Sequence, residues 1–144
     1  MSKWISRQKM ELKKFLDFLP SNFRYEKSFF IQNNLTDFEK LSNLSESDIN
    51  EIQRKSSLCT LNNLKKIRAI AIFKKEIAIS PPKAYLLLHC GISSIKSLSI
   101  STPYELERKI GRLERTLRVK NETNTTFTHL KEWIKKAIQI SKSI

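Results

Sequence analysis

Two glycines and four prolines in 144 residues leave this chain with few of the residues that tight turns require. A sheet joined by glycine-containing hairpins is therefore excluded as the economical reading, and helices take its place. Two cysteines, Cys59 and Cys90, lie far apart and form no CxxC pair, which excludes a disulfide framework and a thiolate metal knuckle. Each sits beside apolar residues and reads as a reduced thiol used as a small core residue. Acidic residues are also scarce, 14 against 27 Lys and Arg, and none forms a carboxylate pair suited to acid–base chemistry. No apolar run reaches the ~20 residues that span a bilayer. The longest candidate, Ile67 to Ile79, is broken by Arg68, Lys74, Lys75 and Glu76. The first residues carry Lys3, Arg7 and Lys9 with no apolar core between them, so the expected location is cytoplasmic.

What is present is charge and repetition. The net charge is +13, with residues 1–79 contributing 15 basic and 9 acidic side chains and residues 80–144 contributing 12 and 5. The excess belongs to both halves and favours a polyanionic partner: nucleic acid, an anionic membrane surface or an acidic protein. A bias toward Lys, Ile, Asn and Ser offers the plainer alternative of simple solubility.

The segment Phe29-Phe30-Ile31-Gln32-Asn33-Asn34-Leu35-Thr36-Asp37-Phe38-Glu39-Lys40-Leu41 aligns with Leu86-Leu87-Leu88-His89-Cys90-Gly91-Ile92-Ser93-Ser94-Ile95-Lys96-Ser97-Leu98 (92 − 35 and 98 − 41 both give 57). Apolar falls on apolar, and Asn34 falls on Gly91, the two residue types that best tolerate a left-handed backbone. A repeat of this period implies a small helical unit used twice. The expected organisation is an N-terminal helix over 1–20, a first repeat over 21–79 and a second over 80–144.

Local signals fill in the units. Trp4, Leu12, Phe15, Leu16 and Leu19 form a helical stripe that Pro20 stops. The first repeat predicts helices over Tyr25–Gln32, Thr36–Leu41, from Ser45 and from Leu61, with Ser45-Glu46-Ser47-Asp48 as an N-capping box. The second predicts Pro82–Cys90 ending at Gly91, Ser93–Leu98, a helix capped by Thr102-Pro103-Tyr104-Glu105, and a last helix over Thr128–Ile140. Within Tyr104–Leu117 the apolar Leu106, Ile110, Leu113 and Leu117 share a face, with Arg108, Arg112 and Arg115 opposite. Gly111 costs about 1 kcal/mol in mid-helix relative to Ala, so a stop there with a restart at Arg112 is the alternative to one continuous helix.

The run from Pro82 to Leu98, then Thr102-Pro103-Tyr104-Glu105-Leu106, resembles a helix-hairpin-helix module. The closing Leu130-Lys131-Glu132-Trp133-Ile134-Lys135-Lys136-Ala137 is similar to the L-x-x-W-x-x-x-A helix of an uncharacterised bacterial family of tandem helix-hairpin-helix-like domains. The same architecture resembles the C-terminal domain of the bacterial RNA polymerase alpha subunit. The resemblance covers about 80–140 well and 24–79 weakly, and implies an all-α fold of two tandem SAM-like units packed together. It also implies binding of DNA backbone, without sequence preference, through amides of a G-Φ-G hairpin at a helix N-terminus. In this chain Ala78-Ile79-Ser80 occupies the hairpin with both glycines replaced, leaving Ser80 and the helix N-terminus to receive an anion. Ile110-Gly111-Arg112-Leu113 is a second hairpin-like stretch with one glycine. Near Phe23-Arg24 the first repeat has none.

The candidate nucleic-acid contacts are thus Ser80, Lys83, Arg108, Lys109, Arg112, Arg115, Arg118 and Lys120. Arg-rich spacing on one helix suits phosphate, and a solvated amphipathic face is the alternative. Lys65, Lys66, Arg68, Lys74 and Lys75 would widen the patch. Trp4 and Trp133 lie at core spacing, and stacking on bases is the less economical reading. His89 beside Cys90 does not face it on a helix. Neither catalytic chemistry nor a cofactor or metal is expected. A protein–protein adaptor on a helix-hairpin-helix scaffold that has lost nucleic-acid binding is the second functional reading.

Overall fold

Helix ends in this chain are written locally, and twice. In the computed structural model, which describes Leu16, residues 19–35, 37–117 and 125–142, a short 3-10 turn at Ser21–Phe23 leads into α1 (Arg24–Gln32). There follow α2 (Phe38–Ser42), α3 (Glu46–Lys55) and α4 (Leu61–Ile77). The series then resumes with α5 (Pro81–His89), α6 (Ile95–Ser99), α7 (Pro103–Leu117) and α8 (Phe127–Lys142). The described residues contain no strand, so the fold is all-α. Most of the expected N-terminal helix lies outside them.

The 57-residue register holds helix by helix. α5 occupies the positions of α1 moved by 57, α6 those of α2, and α7 begins 57 residues after α3. The turns repeat as well. After α1, Asn34 takes φ 53°, with its amide bonded to the Ile31 carbonyl and the Leu35 amide bonded to that of Phe30. After α5, Gly91 takes φ 85°, with the Gly91 and Ile92 amides bonded to the Leu88 and Leu87 carbonyls. This double closure by a left-handed residue satisfies carbonyls that the helix end would otherwise orphan. Asp37 then caps α2 by accepting the Lys40 amide at 2.7 Å, and Ser94 caps α6 by accepting the Ser97 amide at 3.1 Å. Ser45 and Asp48 make the reciprocal capping box that starts α3.

Contacts divide the chain into two compact units, one ending at Lys75 and the other beginning at Glu76. In the first, Phe23, Phe30, Leu41, Ile49, Leu64 and Ile67 are fully buried. In the second, α8 packs against α6 and α7, and α5 against α7. Leu130, Ile134 and Ala137 line one face of α8 at helical spacing and are buried with Leu98, Leu106 and Ile110. From α4 to α8 the offset grows from 57 to 66, and the nine added residues lie in the longer α7 and in the connection that follows it.

A buried charge also recurs. Glu26, third residue of α1, is fully buried and accepts the Thr60 amide at 2.9 Å and the Asn63 side-chain amide at 3.3 Å, tying α1 to the start of α4. Its counterpart at the same register is Lys83, third residue of α5, which is 7% exposed. Lys83 Nζ lies 2.8 Å from Glu114 Oε2 of α7, and Glu114 accepts the Thr125 amide just before α8. Both units thus use a buried carboxylate to hold the chain entering their last helix. In the second, that carboxylate comes from a different helix and Lys83 balances its charge.

Candidate nucleic-acid interface

The densest basic segment is carried by α7, whose start follows from Thr102-Pro103. Proline at the first helical position has no amide to orphan, and the Leu106 amide closes onto the Thr102 carbonyl at 3.1 Å. The Thr102 hydroxyl reaches Glu105 Oε2 at 3.5 Å. The helix does not break at Gly111: it runs unbroken from Pro103 to Leu117. Burial of Leu106 and Ile110 stabilises by about 1.5–3 kcal/mol each and outweighs the ~1 kcal/mol that a mid-helix glycine costs. The Ile110–Leu113 stretch is consequently helix interior and not a second hairpin.

Arg108, Lys109, Arg112 and Arg115 are all exposed. At 100° per residue, Arg108, Arg112 and Arg115 fall within about 60° of one another, opposite Leu106, Ile110 and the half-buried Leu113. Lys109 stands to the side, 3.6 Å from Glu105, in an exposed pair that contributes little. Arg118 and Lys120 lie outside the described residues.

The other two candidates are placed elsewhere. Ser80 occupies the N-cap position of α5, yet its hydroxyl makes no cap bond and its Oγ is buried without a partner. Pro81 and Pro82 also remove two of the amides with which a helix N-terminus receives an anion. Lys83 does not share the exposed face of α7, because its ammonium is buried against Glu114. Preceding Ser80, Ala78 keeps a left-handed φ of 62° without being glycine, so the turn geometry survives the substitution.

The basic residues expected to widen the patch are largely engaged with acids of the first unit. Arg68 bonds Glu46 at 2.8 Å and the Leu44 carbonyl at 3.0 Å, Lys65 lies 3.5 Å from Glu46, and Lys75 lies 4.0 Å from Glu39. The Arg68 hydrogen bond, with help from Lys65, holds the Glu46 carboxyl below the usual range. Tyr85 packs edge-on against His89 at 4.6 Å. Burial pushes the Cys90 thiol up, and Lys109 acts in the opposite sense. Among the described residues no group of three His, Cys, Asp or Glu could hold a metal ion, and no helix is long and apolar enough to cross a membrane. Trp133 is half-buried and stacks against His129, with ring centroids 6.3 Å apart.

Composition and spacing did not single out Tyr104. Its side chain is 76% exposed, and its ring tilts against Phe127 of α8 at 4.7 Å between centroids. Lys131, one turn along α8, sits over the Phe127 ring at 5.6 Å. The available signal was its position one helical turn before Arg108.

A family model described as a domain of unknown function (DUF4332) matches residues 20–140, and the chain therefore belongs to that family. No curated protein and no solved structure matches it.

Proposed function

We propose that this DUF4332 member is a non-enzymatic basic module of two tandem helix-hairpin-helix-like units that binds nucleic acid, DNA before RNA. It acts in the cytoplasm and contacts the phosphate backbone without strong sequence preference. The observation that supports the reading is the exposed α7 face carrying Arg108, Arg112 and Arg115 with Lys109 beside it. Planar guanidinium groups take phosphate oxygens in bidentate fashion, and a net charge of +13 draws a polyanion toward them. Lys83 supports the face indirectly, by holding α5 to α7 through Glu114.

Fluorescence anisotropy with labelled oligonucleotides at two salt concentrations tests this. Neutralising four phosphates gives a log–log salt slope of roughly −3 to −4, so affinity falls about 10²-fold between 50 and 200 mM salt. Arg112→Glu with Arg115→Glu removes most of the signal while leaving the circular dichroism spectrum unchanged. No binding even at low salt would refute the proposal and favour the adaptor reading.

A further inference from the structure

The geometry points to a preference for single-stranded nucleic acid, with Tyr104 as a stacking platform for an unpaired base. This rests on the phosphate-binding reading of α7 and adds the class of strand. Helical spacing sets Tyr104 on the same face as Arg108 and Arg115 and one turn before Arg108, about 6 Å along the axis. A large ring at 76% exposure is not there for the core. The first unit makes the same point, because α3 carries the exposed Ser47 and Glu51 where α7 carries Tyr104 and Arg108. The local frame forms without an aromatic or a cation at those positions.

The ring is also held. Phe127 meets it at 4.7 Å and 38°, and Phe127 is half-buried, so one side of Tyr104 is braced and the remainder faces solvent. Lys131 sits over the Phe127 ring and adds a cation to the pair. A braced aromatic ring sharing a helix face with Arg108 and Arg115 suits a strand whose bases are free to splay out. Stacked aromatic platforms tracked by basic side chains bind single strands with little sequence preference. A duplex keeps its bases paired and offers the ring nothing but its backbone.

The test uses the whole chain and three probes of equal length: a thymidine strand, the corresponding duplex and a strand of abasic residues. Wild-type protein should bind the thymidine strand more tightly than the other two. Tyr104→Ala should weaken thymidine-strand binding by about tenfold, within the range measured for single base–aromatic stacks, and leave duplex and abasic binding unaltered. Tyr104→Phe should restore the affinity, since the ring and not the hydroxyl stacks. The salt slope should be the same in wild type and Tyr104→Ala, because no phosphate contact is lost. Equal loss on all three probes, or no loss on the thymidine strand, would overturn the stacking role. If those results come with binding still abolished by Arg112→Glu and Arg115→Glu, the phosphate-binding reading survives alone. Absence of binding to any probe removes both.

Discussion

Replacing Lys83 by Met isolates the buried ion pair of the second unit. Lys83 and Glu114 each have side chains only 8% exposed, and their charged atoms approach to 2.8 Å. Removing one partner of a buried pair costs about 3–5 kcal/mol, because the remaining charge is left without compensation. Glu114 keeps the Thr125 amide as a donor, which places the expected loss near the lower end, about 3 kcal/mol. For a chain of this size that lowers the melting temperature by roughly 10 °C. Urea denaturation monitored by circular dichroism gives the free energy directly, with an unchanged m-value as the check that only stability has moved. The double variant Lys83→Met with Glu114→Gln should recover more than half of the loss, since Gln still accepts the Thr125 amide without carrying a charge. A cost for Lys83→Met below ~1 kcal/mol, the value of an exposed pair, would refute the reasoning.

Four further outcomes follow from the backbone and the caps. Gly111→Ala should stabilise by about 0.5–1 kcal/mol, because an added Cβ meets only Arg115 Nη1 at 3.9 Å and the position is helical; a loss of stability in the same urea assay would contradict this. Ala78→Gly should gain up to about 1 kcal/mol by relieving a left-handed alanine, and Gly91→Ala should lose about 1 kcal/mol for the mirrored reason, with no atom within 4 Å to add a clash. The capping hydrogen bonds from Ser45 hold the Asp48 carboxyl below its ordinary value of 3.8, so its contribution is present at neutral pH and is lost as pH falls through the folded value. Melting temperatures of wild type and Asp48→Asn should therefore differ at pH 7 and draw together only as the pH is taken below the ordinary carboxylate value of 3.8.

Much of the fold was legible because helix ends are short-range events. Ser45-Glu46-Ser47-Asp48, Pro103 and Gly91 act through partners at most four residues away, and each does in space what its spacing implied. The misreadings involve balance or distance. Gly111 carries a known local penalty, and only the buried Leu106 and Ile110 before it outweigh it. Lys83 reads as one more surface cation, since its partner Glu114 is 31 residues away and nothing nearby marks it as buried. Ser80 has the residue type of a cap, yet two prolines follow it and its hydroxyl turns inward. Tyr104 was legible only as a position in a capping sequence, and its exposure depends on how α8 begins.

Glu26 and Lys83 stand at one register with opposite charge, and this has a consequence for folding. Tandem copies of a helical unit misassemble by exchanging equivalent elements. Were α1 to take the place of α5, the carboxylate of Glu26 would meet that of Glu114 in a site sealed from water. Were α5 to take the place of α1, the ammonium of Lys83 would face the Thr60 amide, a donor against a donor. Each wrong exchange buries an unmatched charge, so the duplicated chain carries its own key for telling one copy from the other.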